Sequence, residues 1–232
     1  MKNIKNIALA LLISAFGSSV ALAEFTMGVS GAIAHINASG TETEGNQREK
    51  NSDTVSHLAP VGSIFVEAND LMGSGVTIGI DYIPMTADVS DKVKKRTDIE
   101  NSVTSTTTET STTRNQSAQA ELKDHMTLYA SFDVSDQIYL KLGYVSVDLE
   151  TVESLPTGSK YGNEESVGGI LLGVGTEMEI GSSSIARFEV SHTNYEDIEL
   201  KSSVARAGVD ANNKIDADLD ITQFKASFGY KF

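Results

Sequence analysis

Eight runs of alternating apolar and polar residues, joined by connections that are by turns long and short, predict an all-β chain. The expected architecture is an eight-stranded antiparallel up-and-down barrel, and three observations carry it. First, the final nine residues place Phe224, Ala226, Phe228, Tyr230 and Phe232 on one strand face and Lys225, Ser227, Gly229 and Lys231 on the other, because successive side chains point to opposite sides. Second, the connections near 37–56, 88–121, 150–165 and 195–216 are long, whereas those near 69–75, 133–136 and 180–183 are short. All short turns then fall on one rim and all long loops on the other, a sorting that a sandwich has no reason to produce. Third, no segment after residue 23 is long and apolar enough for a membrane helix, so only a closed barrel could satisfy this backbone within lipid. An apolar outside, a polar inside and aromatic residues at the strand ends make the predicted barrel transmembrane.

Residues 1–23 read as a secretory signal: Lys2 and Lys5 form a basic start, Ile7 to Phe16 is apolar, and Ala21-Leu22-Ala23 supplies a small-residue cleavage pattern. Residues 24–232 then form one barrel domain. Loss of the two signal lysines takes the formal charge from −14 to −16. So acidic a chain is a poor nucleic-acid ligand, because phosphates would be repelled rather than neutralised. The chain has no Cys, so no lipid-anchoring cysteine follows the cleavage site.

The strands follow in order. Strand one, 25–36, turns Met27, Val29, Gly31 and Ile33 outward and Thr26, Gly28, Ser30, Ala32 and Ala34 inward. Strand two, 57–68, sends Ile64, Val66 and Ala68 out and Ser63, Phe65 and Glu67 in; strand three sets Val76, Ile78, Ile80 and Tyr82 against Thr77, Gly79 and Asp81. The 88–121 connection holds a Ser/Thr-rich run, 101–113, for which two readings stand, an extension of the hairpin because Thr favours strands, or a mobile segment, the second being preferred. Strand four, 122–132, faces Met126, Leu128, Ala130 and Phe132 outward and His125, Thr127, Tyr129 and Ser131 inward. Strand five, 137–149, alternates Ile138, Leu140, Leu142 and Tyr144 with Tyr139, Lys141 and Gly143. Strand six, 167–179, has Ile170, Leu172, Val174 and Met178 outside; strand seven has Ala186, Phe188 and Val190 outside; strand eight ends at Phe232.

Phe228-Gly-Tyr-Lys-Phe232 resembles the carboxy-terminal signature of bacterial outer-membrane barrels, and Tyr139-Leu-Lys-Leu-Gly-Tyr144 also resembles that family. The likeness extends loosely over residues 24–232, to the small eight-stranded OmpA/OmpX-like and opacity-type proteins. It implies an eight-stranded antiparallel up-and-down transmembrane β-barrel with long extracellular loops and short periplasmic turns, in the outer membrane of a Gram-negative bacterium. It further implies that Phe228, Tyr230 and Phe232 form an assembly signal for the barrel-insertion machinery. Activity is not implied by such a fold.

An eight-stranded lumen is only about wide enough for side chains to fill it. The inward residues include Phe65, Tyr129 and Tyr139 and eight charges: Glu67, Asp81, Glu177, Glu189, Lys141, Arg187, Lys225 and Lys231. Four acids face four bases, which predicts an ion-paired plug; exchangeable pairs would instead make a narrow solute or ion pore. By height, Asp81, Lys141, Glu189 and Lys225 form one expected layer and Glu67, Glu177, Arg187 and Lys231 a lower one. Glu189 and Lys225, on neighbouring strands, are the expected direct pair. The four histidines, His35, His57, His125 and His192, lie near the long-loop rim without metal-site spacing. Ser191, His192 and Glu189 are adjacent in sequence but alternate in facing. The expectation is therefore a non-enzymatic monomer with no catalytic residue, metal or cofactor, surrounded by outer-membrane lipid, with an extracellular ligand for its loops as a further possible partner. Deleting Phe232 should lower the yield of assembled barrel sharply, whereas deleting Thr106 should not; heat-modified gel mobility of the two variants measures this.

Overall fold

In the computed structural model, which describes residues 24–45, 50–105, 108–154, 160–161, 165–205 and 211–232, the chain forms one antiparallel sheet closed on itself. Its strands are β1 (Glu24–Thr43), β2 (Lys50–Asn69), β3 (Val76–Ile83), β4 (Ala87–Asp88), β5 (Lys94–Ser105), β6 (Thr108–Ser135), β7 (Ile138–Ser154), β8 (Glu165–Ile180), β9 (Ser184–Tyr195), β10 (Ile198–Lys201) and β11 (Lys214–Lys231). The β3–β4–β5 and β9–β10 pieces each act as one stave, which makes eight staves, and β11 pairs with β1 to close the ring. The candidate signal 1–23 lies outside the described residues.

Hydrogen-bonded neighbours followed once round the ring lead from Thr26 through Glu67, Gly79, Tyr129, Gly143, Leu171, Thr193 and Ile221 to Ile36, ten residues further along β1. That stagger tilts the staves by about 40° to the barrel axis. It sets which residues share a height in the lumen. The short turns close with a 3₁₀ turn at Leu71–Gly73 and with Gly181 at φ 69, a left-handed conformation that glycine enters without strain.

The staves run well beyond the expected boundaries. β1 and β2 stay paired to Thr43↔Lys50, so most of the expected 37–56 loop is strand. β5 and β6 pair from Lys94↔Ala118 to Ser105↔Thr108, so the backbone of the Thr-rich segment, expected to be mobile, forms a hairpin; residues 106 and 107 lie outside the described residues. The reason is a change of surroundings along each stave. On β11 the outward row reads Tyr230, Phe228, Ala226, Phe224 and then Thr222, Asp220, Asp218, Asp216, while the inward row reads Lys231, Gly229, Ser227, Lys225, Gln223 and then Ile221, Leu219, Ala217, Ile215. β7 adds to the same inner row: Leu140 and Leu142 are exposed and Lys141 is buried, while higher up Val145, Val147 and Leu149 are buried apolar residues at the parity of Lys141. The lower part is built for lipid. The upper part is built like a water-soluble barrel around its own apolar core, which includes Ile36, Ala59, Leu122, Val145, Val147, Leu171, Leu219 and Ile221. The expectation of a polar interior throughout is therefore corrected for the upper half.

The wall is uneven at one seam. Among the described residues, β2 pairs with β3 only between Ile64↔Tyr82 and Ala68↔Ile78, and above that level β4 and β5 pair with β6 alone. Pro60, which lacks an N–H, and Pro84, just past the end of β3, interrupt the ladder there. The Gly62 N–H points instead at the Met85 Sδ, 3.3 Å away. Higher up, Lys94 of β5 reaches Asp53 of β2 at 2.8 Å.

The inversion of faces gives a sharp contrast. Leu140→Arg should cost about 2–4 kcal/mol, because the charge meets hydrocarbon. Ser39→Arg, also outward but above the apolar band, should cost less than about 0.5 kcal/mol, as surface changes do. Urea titration of the protein folded into lipid vesicles measures both.

Candidate functional site

The lumen gathers the charged residues singled out in the sequence, each brought there by strand parity. In the lower layer, Arg187 on β9 donates from Nη1 to Glu67 Oε1 on β2 at 2.5 Å and from Nε to Glu177 Oε2 on β8 at 2.6 Å. The Tyr129 hydroxyl donates to the same Glu67 oxygen at 2.6 Å. Lys231 lies 3.9 Å from Glu177 and 2.8 Å from Glu179, which ties the layer to the short-turn rim. The upper layer holds two crossed pairs, Lys141 with Glu189 at 2.8 Å and Lys225 with Asp81 at 3.0 Å. Tyr139 donates to Glu189 Oε2 at 3.0 Å and Ser63 to Asp81 Oδ2 at 3.1 Å.

Glu189 and Lys225 stand opposite one another in register, yet they are not the direct pair that was expected. The Lys225 ammonium crosses the lumen to Asp81, and Glu189 is taken by Lys141 from β7. Each of these four side chains is at most 8 % exposed, and a buried charge left without an opposite partner costs several kcal/mol, so the arrangement that pairs all four is favoured over one that pairs two.

The aromatic residues complete the filling through a relation that sequence reasoning missed. Phe65 lies opposite Gly28, Tyr129 opposite Gly79 and Tyr139 opposite Gly175. In each case a Cβ added to the glycine would sit 2.4 Å from the Cζ of the facing ring. The glycines are small so that a ring from the next stave can lie flat against the wall. Arg187 then sits 5.7 Å from the ring centres of Phe65 and Tyr139, and Lys141 lies 3.9 Å from that of Tyr129. An inward glycine level with an inward aromatic on the neighbouring stave was the available signal.

His125 bridges the charged and apolar levels, its Nε2 3.0 Å from the Tyr195 hydroxyl. His35 and His192 lie on the outer surface, beside Ser56 at 2.7 Å and Thr222 at 3.0 Å. His57 stands opposite inward Ile36. No group of three or more metal-ligating side chains occurs among the described residues. Glu189 and Ser191 are buried in the lumen and His192 is on the outside, so these three do not converge. At the carboxy terminus Phe228, Tyr230 and Phe232 are exposed on the outer face, with the last two rings edge to face at 5.2 Å.

A family model described as outer membrane protein beta-barrel domain matches residues 7–232. No curated protein matches the chain. Among solved structures, the outer membrane protein OprG from Pseudomonas aeruginosa is similar at TM-score 0.50 and 12% identity, covering 91% of this chain and 96% of that one. Ail, the attachment invasion locus protein of Yersinia pestis, is similar at TM-score 0.42 and 8% identity, over 91% and 99% of the two chains. The outer membrane protease OmpT from Escherichia coli is similar at TM-score 0.43 and 9% identity, over 90% and 97%. At such identities the likeness concerns the fold alone.

The glycine–aromatic pairs make a measurable claim. Gly79→Ala should destabilise the barrel by about 1–3 kcal/mol through overpacking against Tyr129. Much of that penalty should disappear when Tyr129 is shortened to Leu, and a double-mutant cycle in vesicle unfolding reads the coupling.

Proposed function

The chain belongs to the outer membrane protein beta-barrel domain family, and from that premise we propose that it is a sealed, non-enzymatic barrel that works through the part standing above the bilayer. It resides in the outer membrane, with lipid against residues such as Leu140, Leu172, Phe188 and Phe228. The observation that carries the sealed reading is the stacking of two different plugs. The crossed pairs Lys141–Glu189 and Lys225–Asp81 occupy the lumen at one height. The packed apolar core with Val145, Val147, Leu219 and Ile221 lies above them. Water and ions would have to break buried ion pairs and then wet hydrocarbon. In this reading Phe228, Tyr230 and Phe232 address the chain to the insertion machinery, the barrel is a monomer, and interaction is left to the strands and connections beyond the membrane.

Planar-bilayer recording tests the seal. The parent protein should pass no steady current. Lys141→Ala with Lys225→Ala should remain closed too, because the apolar core is untouched, although its unfolding midpoint should fall. Sustained ion-selective current through the parent would move the assignment to a narrow pore. Current through the double variant alone would place the seal in the ion pairs only.

A further inference from the structure

We propose that the outer face of β9, β11 and β1 binds one molecule of phosphatidylethanolamine, with an acyl chain in an apolar groove and the zwitterionic headgroup on the polar rows above it. The groove lies within the lipid band and is lined by Gly31, Pro60, Phe188, Val190, Phe224 and Ala226. Its floor is where Phe188, Ala226 and Gly31 meet in register, and a Cβ placed on Gly31 would find nothing within 4 Å. Phe224 and Phe228, both exposed, stand above and below that floor on β11. The chain sits in the outer membrane with this face against lipid, so the occupant of the groove is an acyl chain. Selection among lipids then falls to the headgroup, and the rows above the groove supply it.

The next outward row above Val190, Phe224 and Ile33 reads His192, Thr222 and His35, in register across β9, β11 and β1. His35 Nε2 lies 2.7 Å from the Ser56 hydroxyl, and His192 Nδ1 lies 3.0 Å from the Thr222 hydroxyl. With both hydroxyls donating, each imidazole carries its proton on the other nitrogen, Nδ1 of His35 and Nε2 of His192. Neither of those N–H groups meets an acceptor among the described residues. The two rings stand two strand spacings apart, roughly 10 Å, and so bracket one phosphate above Thr222. The row above that, about 6.7 Å further along the strand, sets Asp220 between Asn37 and Asn194. Asn37 donates to one Asp220 oxygen at 3.2 Å, and Asp218 and Asp216 continue the outward row of β11. Donors therefore come first above the hydrocarbon and carboxylates next. Phosphoethanolamine has the matching order of charge, its phosphate next to the glycerol and its ammonium beyond. A headgroup of net negative charge would meet the three aspartates with like charge, and choline has no N–H to donate to them.

Native mass spectrometry tests the proposal on the folded protein released from nanodiscs of equal parts phosphatidylethanolamine, phosphatidylglycerol and phosphatidylcholine. The parent should retain one phosphatidylethanolamine in several-fold excess over either competitor. His35→Ala with His192→Ala should lower the total lipid retained several-fold, because the phosphate is common to all three. Asp218→Asn with Asp220→Asn should leave that total near the parent's and remove the preference for ethanolamine. Gly31→Leu, which fills the groove without meeting the wall, should lower retention of all three lipids. Each variant should keep the heat-modified mobility of the parent. Retention by the parent in proportion to abundance, a preference for phosphatidylglycerol, or a preference for ethanolamine that survives in both double variants would each overturn the proposal. None of these outcomes bears on bilayer current, so the sealed lumen and the lipid site stand or fall separately.

Discussion

A β-strand cannot change the facing of its side chains part way along without a bulge, and the rest of this molecule depends on that constraint. An inward position at the short-turn rim is inward at the same parity many residues later. The medium outside changes from hydrocarbon to water along the way. The chain meets that change by exchanging chemistry between two fixed rows: Phe224 gives way to Thr222 on the outside while Lys225 and Gln223 give way to Ile221 inside. Hydrophobic burial is thus directed outward into lipid at one level and inward into protein at the next. β6, which bulges between Lys123 and Met126 with Asp124 at φ 48, marks the transition locally; the Tyr82 hydroxyl donates to the Asp124 carboxylate there at 2.7 Å.

The charged layers follow from the same constraint combined with the stagger. Polar side chains are admitted to the lower lumen because lipid claims the outer row. Once enclosed, they must pair. Tilt brings Asp81, Lys141, Glu189 and Lys225 to similar heights although they come from four different staves, so pairing across the lumen competes successfully with pairing along the wall. The rings of Phe65, Tyr129 and Tyr139 take up the remaining width, and the facing glycines let them lie flat.

The lipid band and the lumen residues were legible in the sequence because alternation around Leu140, Phe228 and Ile78 is strong and has one sign. The upper staves were not legible from the same signal. Val145, Val147 and Leu149 continue the period of two, but with the apolar row inside, so a reading tuned to apolar-out strands ends too early. Residues 37–43 and 50–56 are mostly polar, and their strand character comes from ladder bonds between β1 and β11 and between β1 and β2 rather than from any periodicity of their own. The partner of Lys225 was hidden for another reason. Adjacency along the chain suggests neighbours on the wall, whereas the actual partner is chosen by height, which needs the stagger of the whole ring.

The seam between β2 and β3 makes the cylinder mechanically uneven. β1 and β2 share twenty registered positions and β1 and β11 eighteen, but β2 and β3 share five, from Ile64 to Ala68. A lateral load on the wall concentrates on those five, since above them the described residues of the two staves meet through isolated side-chain contacts such as Lys94 with Asp53 rather than through a ladder. The closing ladder between the two ends of the chain, where a barrel assembled from a linear sequence would seem weakest, is among the longest in the ring. The fracture line of this barrel lies inside its sequence, between consecutive staves.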